Sequence, residues 1–328
     1  MKRRAKVSGR TSLRDRVPIA GARAMRAEAR MLMASDIRLL GDRAKRHEPQ
    51  STQESLAFAT VDPPTSLIVG DCRDILPRLP ERGSVDLVFA DPPFNRGVRY
   101  DRWSDDLSRE AYERFTFDWM DACIDTLSRR GSMWINVPDE IAAEVVLHGK
   151  RRGLHLMNWC IWHFRFGVHR RTGFIESKTH ALCLVRDPIR RIWNPDPILE
   201  PSDRSTVYED KRTRSKPGRS TLRVPLDVWY GAFWGRIHGK SRERRASHHN
   251  QLPEAYLERV ILASSDPGSL VLDPFCGSGT TSTVARAYGR PSISIEISPS
   301  TARHAWERIS ETGMVQMGRA AGKSRGSK

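Results

Sequence analysis

Long hydrophobic runs are absent from this 328-residue chain. Nowhere do about 18 uncharged apolar residues follow one another, which is the length that a membrane-spanning helix needs. The basic N-terminus is also not followed by an apolar stretch of signal-peptide length. We therefore expect neither export nor membrane insertion, and we predict a protein of the cytoplasm.

Cysteine is scarce, and no two cysteines form a C-x-x-C pair. The five are scattered along the chain as Cys72, Cys123, Cys160, Cys183 and Cys276. This spacing predicts neither a disulfide framework nor a zinc site. We expect no bound metal and a reducing compartment.

Acidic residues are outnumbered, since the chain has 55 Lys and Arg against 39 Asp and Glu and a net charge of +16. The excess lies in residues 1–48 (fourteen basic and five acidic, +9), 202–247 (twelve and five, +7) and 313–328 (four and none, +4). The remainder is therefore mildly acidic. Basic arms on such a core favour a polyanionic partner. For the two tails, solvated charge without a partner is an equally good interpretation.

Seven short runs have the composition of buried strands, because they are apolar, rich in Val, Ile or Trp, and bounded by turn-forming residues. They are Leu67–Val69, Val85–Ala90, Ser132–Val137, Leu156–Phe164, Ala181–Val185, Leu270–Leu272 and Ile293–Ile297. Helical spacing is clearest at Leu107–Leu127 and Pro253–Ser264. Strands that alternate with helices predict an α/β fold with a mostly parallel sheet, whose ligands bind at the carboxyl ends of the strands.

One predicted strand runs into the turn Asp91-Pro92-Pro93-Phe94. The two prolines fix φ and remove backbone donors, which leaves a stiff turn that presents an acid and carbonyl oxygens. Such acceptors suit the exocyclic amine of a base, whose lone pair is delocalised into the ring until its hydrogens are accepted. Phe94 would then stack on a base flipped out of a duplex. A turn that only caps the strand is the alternative.

Another strand runs into a glycine-rich turn and a helix, as Asp273-Pro274-Phe275-Cys276-Gly277-Ser278-Gly279-Thr280-Thr281. Glycines let a ligand approach the backbone, and a helix N-terminus favours a carboxylate such as that of methionine. No Lys follows Gly279, which argues against a phosphate-binding loop. Glu296 ends the next strand, where an acid can bind ribose hydroxyls, and Asp71 could receive an adenine amino group. Each acid alone is also consistent with a helix cap.

Together the two motifs resemble those of the amino-group DNA methyltransferases of the restriction-modification and orphan types. That family has the catalytic tetrapeptide D/N/S-P-P-Y/F/W and the cofactor loop D-P-F-x-G-S-G-T-T. The catalytic motif comes first here, and this circularly permuted order resembles the β group. The resemblance covers roughly Ser66–Ser310. It implies a Rossmann-like S-adenosylmethionine-dependent methyltransferase fold, with a seven-stranded mostly parallel sheet and a reversed last strand.

The resemblance also implies roles for individual residues. The catalytic set is Asp91, Pro92, Pro93 and Phe94. The set that binds S-adenosyl-L-methionine is Asp71, Cys72, the nine residues of the loop Asp273–Thr281, Glu296, His248, Asn250 and Gln251. The last three belong to His248-His249-Asn250-Gln251-Leu252-Pro253, where the family has H-P-T-Q-K-P. Because Leu252 replaces the lysine, a contact made by that lysine is not expected here.

Within the family, Asp91 favours the N6 of adenine over the N4 of cytosine, because the N4-cytosine enzymes more often have Ser at this position. A cytosine-C5 enzyme is excluded, since the chain has no Pro-Cys dipeptide to carry the nucleophile. An RNA-directed amino methyltransferase stays open. So does a catalytically silent DNA-binding relative, although neither motif is damaged.

The motifs divide the chain into a basic N-terminal arm, partly disordered or helical (1–65), a catalytic half (66–186), a basic, proline-rich insertion (187–247), a cofactor-binding half (248–312) and a basic tail (313–328). The insertion is the predicted target-recognition region. Predicted contacts to double-stranded DNA are Arg170, Arg171, Lys211, Arg212, Arg214, Lys216, Arg236, Lys240 and Arg242. DNA binding would associate the protein with the nucleoid. The sequence leaves a homodimer and a cognate restriction endonuclease undecided.

Overall fold

The computed structural model describes residues 57–58, 62–164, 171–209, 221–230, 243 and 251–314. The strands are β1 (Ala57–Phe58), β2 (Thr65–Val69), β3 (Val85–Ala90), β4 (Leu127–Val137), β5 (His155–His163), β6 (Lys178–Val185), β7 (Glu200–Pro201), β8 (Leu222–Arg223), β9 (Val228–Trp229), β10 (Val271–Asp273) and β11 (Ser292–Glu296). The α-helices are α1 (Cys72–Ile75), α2 (Arg109–Thr126), α3 (Ala142–Arg151), α4 (Asp203–Thr206), α5 (Glu254–Ser264), α6 (Thr280–Ala287) and α7 (Pro299–Glu311). The 3-10 helices are Leu76–Arg78 and Asp196–Ile198.

The main sheet has the strand order β1-β2-β11-β10-β3-β4-β6-β5-β9. The strands β2, β11, β10, β3 and β4 are adjacent and parallel. Only β6 of the seven central strands is reversed, because it is antiparallel to both β4 and β5. It is the last strand before the insertion. The predicted fold class is confirmed, and the seven predicted strands are all present. The sequence did not reveal the two-residue edge strands β1 and β9.

Helices cover both faces of the sheet, which explains why the central strand β3 is apolar at every position except Asp86. Val88 and Ala90 of β3 belong to a buried cluster with residues of α2 and α3. Leu87 and Phe89 of the same strand belong to a cluster with residues of α5 and α6 on the other face. The alternation of side chains along β3 thus fixes the sheet between two helical layers.

Element boundaries differ from the sequence predictions by a few residues. The strand β4 begins at Leu127 instead of Ser132, since Leu127 already pairs with Val85 ahead of an irregularity in the ladder. The helix α2 begins at Arg109, and the hydroxyl of Ser108 caps it by accepting from an N–H of its first turn. Pro253 is the N-cap of α5 and not its first residue.

The described part of the insertion contains only short pieces of regular structure: the 3-10 helix Asp196–Ile198, β7, α4, β8 and β9. This agrees with the sparse structure that its prolines predict. Residues 210–220, 231–242 and 244–250 lie outside the described residues, as do residues 1–56 of the arm and 315–328 of the tail. Among the residues that are described, no helix is both long and apolar enough to cross a membrane.

Candidate active site

Four acids stand at the carboxyl ends of four neighbouring parallel strands. Asp71 follows β2, Glu296 and Asp273 end β11 and β10, and Asp91 follows β3. Because parallel strands end at the same edge of a sheet, the four acids line one cavity of about 830 Å³. This volume lies within the usual range for small-molecule sites.

The cavity brings together most of the residues predicted from the motifs. Its lining includes Asp91, Pro92, Pro93 and Phe94 of the first motif. Of the predicted cofactor set it includes Asp71, Cys72, Gln251, Asp273, Pro274, Phe275, Cys276, Gly277, Ser278, Thr280, Thr281 and Glu296. His248 and Asn250 lie outside the described residues.

Gly279 is the exception in the glycine-rich loop, because it does not line the cavity. Its φ is +76°, and a Cβ added there would lie 3.2 Å from the Cβ of Ala305 and 3.1 Å from the Cδ1 of Ile309. Both neighbours belong to α7. A role of this glycine in cofactor binding stays a prediction; in the structure it lets α7 pack against the start of α6, whereas Gly277 lines the cavity.

Asp273 is buried at the base of the glycine-rich loop, with 3% of its surface exposed. One of its oxygens accepts a hydrogen bond of 3.0 Å from the backbone N–H of Phe275. Burial raises the pKa of Asp273 to about 6, and hydrogen bonds from Thr281 and Phe275 only partly oppose this rise.

Glu296 joins the strand β11 to the loop beside it. Its two oxygens accept hydrogen bonds from the backbone N–H groups of Gly277, at 2.8 Å, and Ser298, at 3.0 Å. Burial raises the pKa of Glu296 to about 7 against these hydrogen bonds, and the charges of Asp273 and Asp101 raise it further. The carboxylate is therefore fixed in place and titrates near neutral pH.

Asp71 also caps a helix, as the alternative interpretation allowed. Its carboxylate accepts from the backbone N–H of Arg73 at 2.9 Å and pairs with the guanidinium of the same residue at 2.7 Å. Burial alone would raise the pKa of Asp71, but the hydrogen bonds and the charge of Arg73 outweigh it and lower the pKa. Asp71 thus faces the cavity as an anion that is already paired.

The turn after β3 is held from two sides. The hydroxyl of Tyr112 in α2 donates to the carbonyl oxygen of Pro93 at 2.9 Å. The Nδ2 of Asn136 in β4 donates to Oδ1 of Asp91 at 3.1 Å. The guanidinium of Arg96 lies 5.9 Å from the centre of the Phe94 ring. These contacts restrict both the acid and the aromatic ring of the motif.

The loop that follows the motif is organised around Asp105, which the sequence did not reveal as a site residue. The buried carboxylate of Asp105 accepts from the backbone N–H groups of Asn95, Arg96 and Val98 at 2.8–3.0 Å. The same loop reaches the cofactor half, where the hydroxyl of Ser298 donates to Asp101 at 2.7 Å. Both aspartates line the cavity. The sequence feature that could have pointed to them is the presence of acids a short distance after the rigid turn Asp91–Phe94.

Of the residues predicted to contact DNA, the structure describes Arg171. It is exposed in the connection between β5 and β6. Since β5 is parallel to β4, this connection leaves the sheet at the edge where the cavity lies, and Trp162 and Thr179 beside it line the cavity. Arg170, Lys211, Arg212, Arg214, Lys216, Arg236, Lys240 and Arg242 lie outside the described residues.

Comparisons with known proteins agree with this geometry. A family model described as DNA methylase matches residues 85–307. The DNA adenine methyltransferase YhdJ of Escherichia coli (strain K12) is 33% identical over 237 residues, 71% of this chain and 78% of YhdJ. The type II methyltransferase M.ScaI of Streptomyces caespitosus is 31% identical over 236 residues, 70% of this chain and 75% of M.ScaI. The solved structure of the cytosine-N4-specific PvuII DNA methyltransferase has a TM-score of 0.59 at 16% identity, over 79% of this chain and 90% of its own, and shares the fold.

Proposed function

This chain belongs to the DNA methylase family, and on that premise we propose that it transfers a methyl group from S-adenosyl-L-methionine to the N6 amino group of adenine in double-stranded DNA. One observation carries the proposal. The acceptor turn Asp91–Phe94 and the acids Asp273 and Glu296 of the cofactor half line the same cavity.

The cofactor half has the groups that this cofactor requires. S-adenosylmethionine supplies an electrophilic methyl group on a sulfonium cation, and it also carries ribose hydroxyls and an amino-acid end. The carboxylates of Glu296 and Asp273 are acceptors for hydroxyl or ammonium groups, and several acids in one cavity favour a cationic ligand. The loop after β10, whose Gly277 lines the cavity, leads into the N-terminus of α6, a suitable position for a carboxylate. The residues present therefore fit the cofactor.

The acceptor turn has the groups that an exocyclic amine requires. Asp91 and the carbonyl oxygen of Pro92 would accept hydrogen bonds from the two amine hydrogens, which localises the nitrogen lone pair for attack on the methyl group. This interaction strengthens as the N–C bond forms, so it lowers the barrier more than it tightens ground-state binding. As the N–C bond formed, the methyl–sulfur bond would break with its electron pair going to sulfur, and one amine proton would be lost to Asp91 or to water. Phe94 would stack on the flipped base and hold its plane.

Two observations favour adenine over cytosine as the target. The first residue of the acceptor turn is Asp91, where N4-cytosine enzymes of the resembled family more often have Ser. The relative YhdJ is named as a DNA adenine methyltransferase. The N4 of cytosine is the alternative product, since the same acceptors suit both amines.

Sequence selection is assigned to the insertion 187–247, and phosphate binding to the basic residues predicted above. Base edges are read only by groups that enter a groove, whereas phosphate contacts carry affinity without sequence information. The intact acceptor and cofactor motifs argue against a silent DNA-binding relative. The homodimer and the cognate restriction endonuclease stay predictions.

The test measures methyl transfer to duplex DNA and uses variants of two aspartates to separate the acceptor role from cofactor binding. We expect N6-methyladenine by nucleoside mass spectrometry. Asp91→Ala should abolish transfer and retain cofactor binding, whereas Asp273→Ala should weaken cofactor binding first, as measured by calorimetry. N4-methylcytosine as the product would overturn the adenine assignment. Transfer by Asp91→Ala at most of the wild-type rate would overturn the acceptor role.

A further inference from the structure

A chain of two hydrogen bonds lies behind the carboxylate of Asp91. The Nδ2 of Asn136 donates to Oδ1 of Asp91 at 3.1 Å, and the hydroxyl of Tyr256 donates to Oδ1 of Asn136 at 2.6 Å. The three residues come from the turn after β3, from β4 and from α5. These two hydrogen bonds therefore connect a helix on one face of the sheet to the acid at its edge.

Neither Asn136 nor Tyr256 lines the cavity, and both are buried, with 1% and 0% of their surfaces exposed. Asn136 is a polar residue among the buried apolar residues of β4, where packing alone would be served by Val or Leu. A buried polar group that lacks a partner is costly, so the pair is tolerated because each satisfies the other. The hydrogen bonds of the pair therefore reach the cavity through Asp91, whereas the ring of Tyr256 packs against Phe89 and Trp162, which line it.

Tyr256 determines which end of the Asn136 amide faces Asp91. An asparagine amide has an acceptor oxygen at one end and two N–H donors at the other. A hydroxyl that donates to the oxygen leaves the NH₂ end toward the carboxylate, whereas the flipped amide would set its oxygen against a carboxylate oxygen. Burial raises the pKa of Tyr256, and the charge of Asp91 raises it further, so the hydroxyl keeps the proton that it donates.

We propose that Asn136 and Tyr256 are positioning residues that hold the carboxylate of Asp91 in the orientation that accepts a hydrogen of the target amine. This inference rests on the proposed acceptor role of Asp91. A carboxylate on a free side chain samples several rotamers, and a donor fixed to one oxygen selects among them. The two hydrogen bonds from Tyr256 to Asn136 and from Asn136 to Asp91, called the relay below, thus lower the barrier without touching the base.

The same strand and helix provide a matched control. The indole Nε1 of Trp134 in β4 donates to the hydroxyl of Ser264 in α5 at 2.9 Å, and both residues are buried. This bond joins the same two elements but does not reach Asp91. Ser264→Ala therefore removes a comparable buried hydrogen bond without affecting the relay.

The first experiment is a double-mutant cycle on the methyl-transfer rate. We expect kcat to fall about tenfold in Tyr256→Phe and about tenfold to hundredfold in Asn136→Ala, the range for losing a hydrogen bond to a neutral or a charged group. The KM for DNA and the cofactor Kd should change little. The double variant should be no slower than Asn136→Ala, because Tyr256→Phe removes only the hydroxyl, and this hydroxyl acts through Asn136. Effects that multiply, or a Tyr256→Phe rate equal to that of Ser264→Ala, would overturn the relay.

The second experiment is the pH profile of Asn136→Asp. The new carboxyl would lie beside Asp91 on one side and the hydroxyl of Tyr256 on the other. Two adjacent carboxyls share one proton, and the protonated form can still donate to Asp91. At saturating cofactor, the kcat of this variant should therefore be retained at low pH and fall as that proton is lost at higher pH, a fall that neither wild type nor Ser264→Ala should show. A profile that is uniformly low, parallel to wild type, would mean a structural role only.

These outcomes separate the relay from the function on which it rests. If Asp91→Ala stays active, the acceptor role itself fails. If Asp91→Ala is inactive while Asn136→Ala and Tyr256→Phe match Ser264→Ala, only the relay fails. Should Asn136→Ala not fold, as judged by cofactor binding, Tyr256→Phe still decides, because it keeps the ring that packs against Phe89 and Trp229.

Discussion

At the residue scale, Glu296 joins the structure of the site to its pH response. Its pKa of about 7 follows from burial and from the charges of Asp273 and Asp101. The ionised form is the better acceptor for ribose hydroxyls and the better partner for a cation, so cofactor binding should favour loss of the proton. Affinity for S-adenosylmethionine should therefore fall as the pH drops below about 7, and Asp273, with a pKa of about 6, should add to the fall at lower pH.

Calorimetry at pH 8, 7 and 6 checks this prediction. We expect the wild-type Kd to rise by up to about tenfold for each pH unit below the pKa of one group. Glu296→Gln should bind the cofactor more weakly than wild type at pH 8, but its Kd should change little between pH 8 and 7. An equal pH dependence in both proteins would contradict the assignment. Asp101→Asn is a useful companion variant, because removing that charge should lower the pKa of Glu296 and so move the pH at which cofactor affinity falls to a lower value.

The stability of the cofactor-free protein should change with pH in the opposite direction. A carboxyl whose pKa is raised by folding binds more protons in the folded state than in the unfolded state, between its ordinary pKa and the raised one. The contribution of Glu296 to stability is therefore lost as the pH rises from about 4.5 to about 7. We expect Glu296→Gln to have a higher Tm than wild type at pH 8 and a similar Tm near pH 4.5. A variant that is less stable at pH 8 would show that the carboxylate is a net stabilising group.

At the element scale, the packing of α7 against the start of α6 depends on Gly279. Gly279→Ala combines the strain of a positive φ with contacts of 3.1–3.2 Å to Ile309 and Ala305. Gly289→Ala is the matched control, since Gly289 has a φ of +77° and an added Cβ there meets nothing within 4 Å. The control should lose roughly 1–2 kcal/mol of unfolding free energy, and Gly279→Ala about 1–3 kcal/mol more.

Urea denaturation of both variants measures the difference. Cofactor affinity should also fall in Gly279→Ala alone, because a displaced α6 start moves Thr280 and Thr281, which line the cavity. Equal losses in the two variants would mean that α7 adapts and that only the backbone conformation matters.

The same elements show which parts of the fold and of the site could be predicted from the sequence. The strand β3 and the turn Asp91–Phe94 were predictable, because an apolar run and two prolines act locally. The shared edge of the acids was predictable from the parallel order of the strands. The relay through Asn136 and Tyr256 was not, since the two residues are 120 positions apart and a pattern reports burial but not partners. The loop around Asp105 was missed for a related reason: its three hydrogen bonds are to backbone groups, which no residue type reveals.

At the scale of the whole molecule, the excess of basic residues lies in other segments of the sequence than the acids that line the cavity. The cavity is lined by several acids, including Asp71, Asp91, Asp273 and Glu296, which suit a cationic cofactor but not a polyanion. The net charge of +16 must therefore attract DNA through other parts of the chain. Residues 1–48 carry the largest single share, with fourteen basic against five acidic residues.

Removal of residues 1–48 tests whether this arm binds phosphates. Each phosphate neutralised by the protein adds about 0.9 to the slope with which the logarithm of affinity falls against the logarithm of salt concentration. If the arm supplies only such contacts, the truncated protein should bind duplex DNA more weakly, with the largest loss at low salt and a flatter slope. Its methylated sequence should stay the same, because phosphate contacts do not discriminate bases.

A full-length variant with the basic residues of 1–48 changed to Gln separates charge from chain length. It should reproduce the flatter slope, whereas removal of the four basic residues of 313–328 should flatten the slope less. Binding at several salt concentrations and mapping of methylated bases give the two readouts. An unchanged slope would show that the arm does not neutralise phosphates, and a changed methylation motif would show that it reads bases. In the latter case, sequence selection could no longer be assigned to the insertion alone.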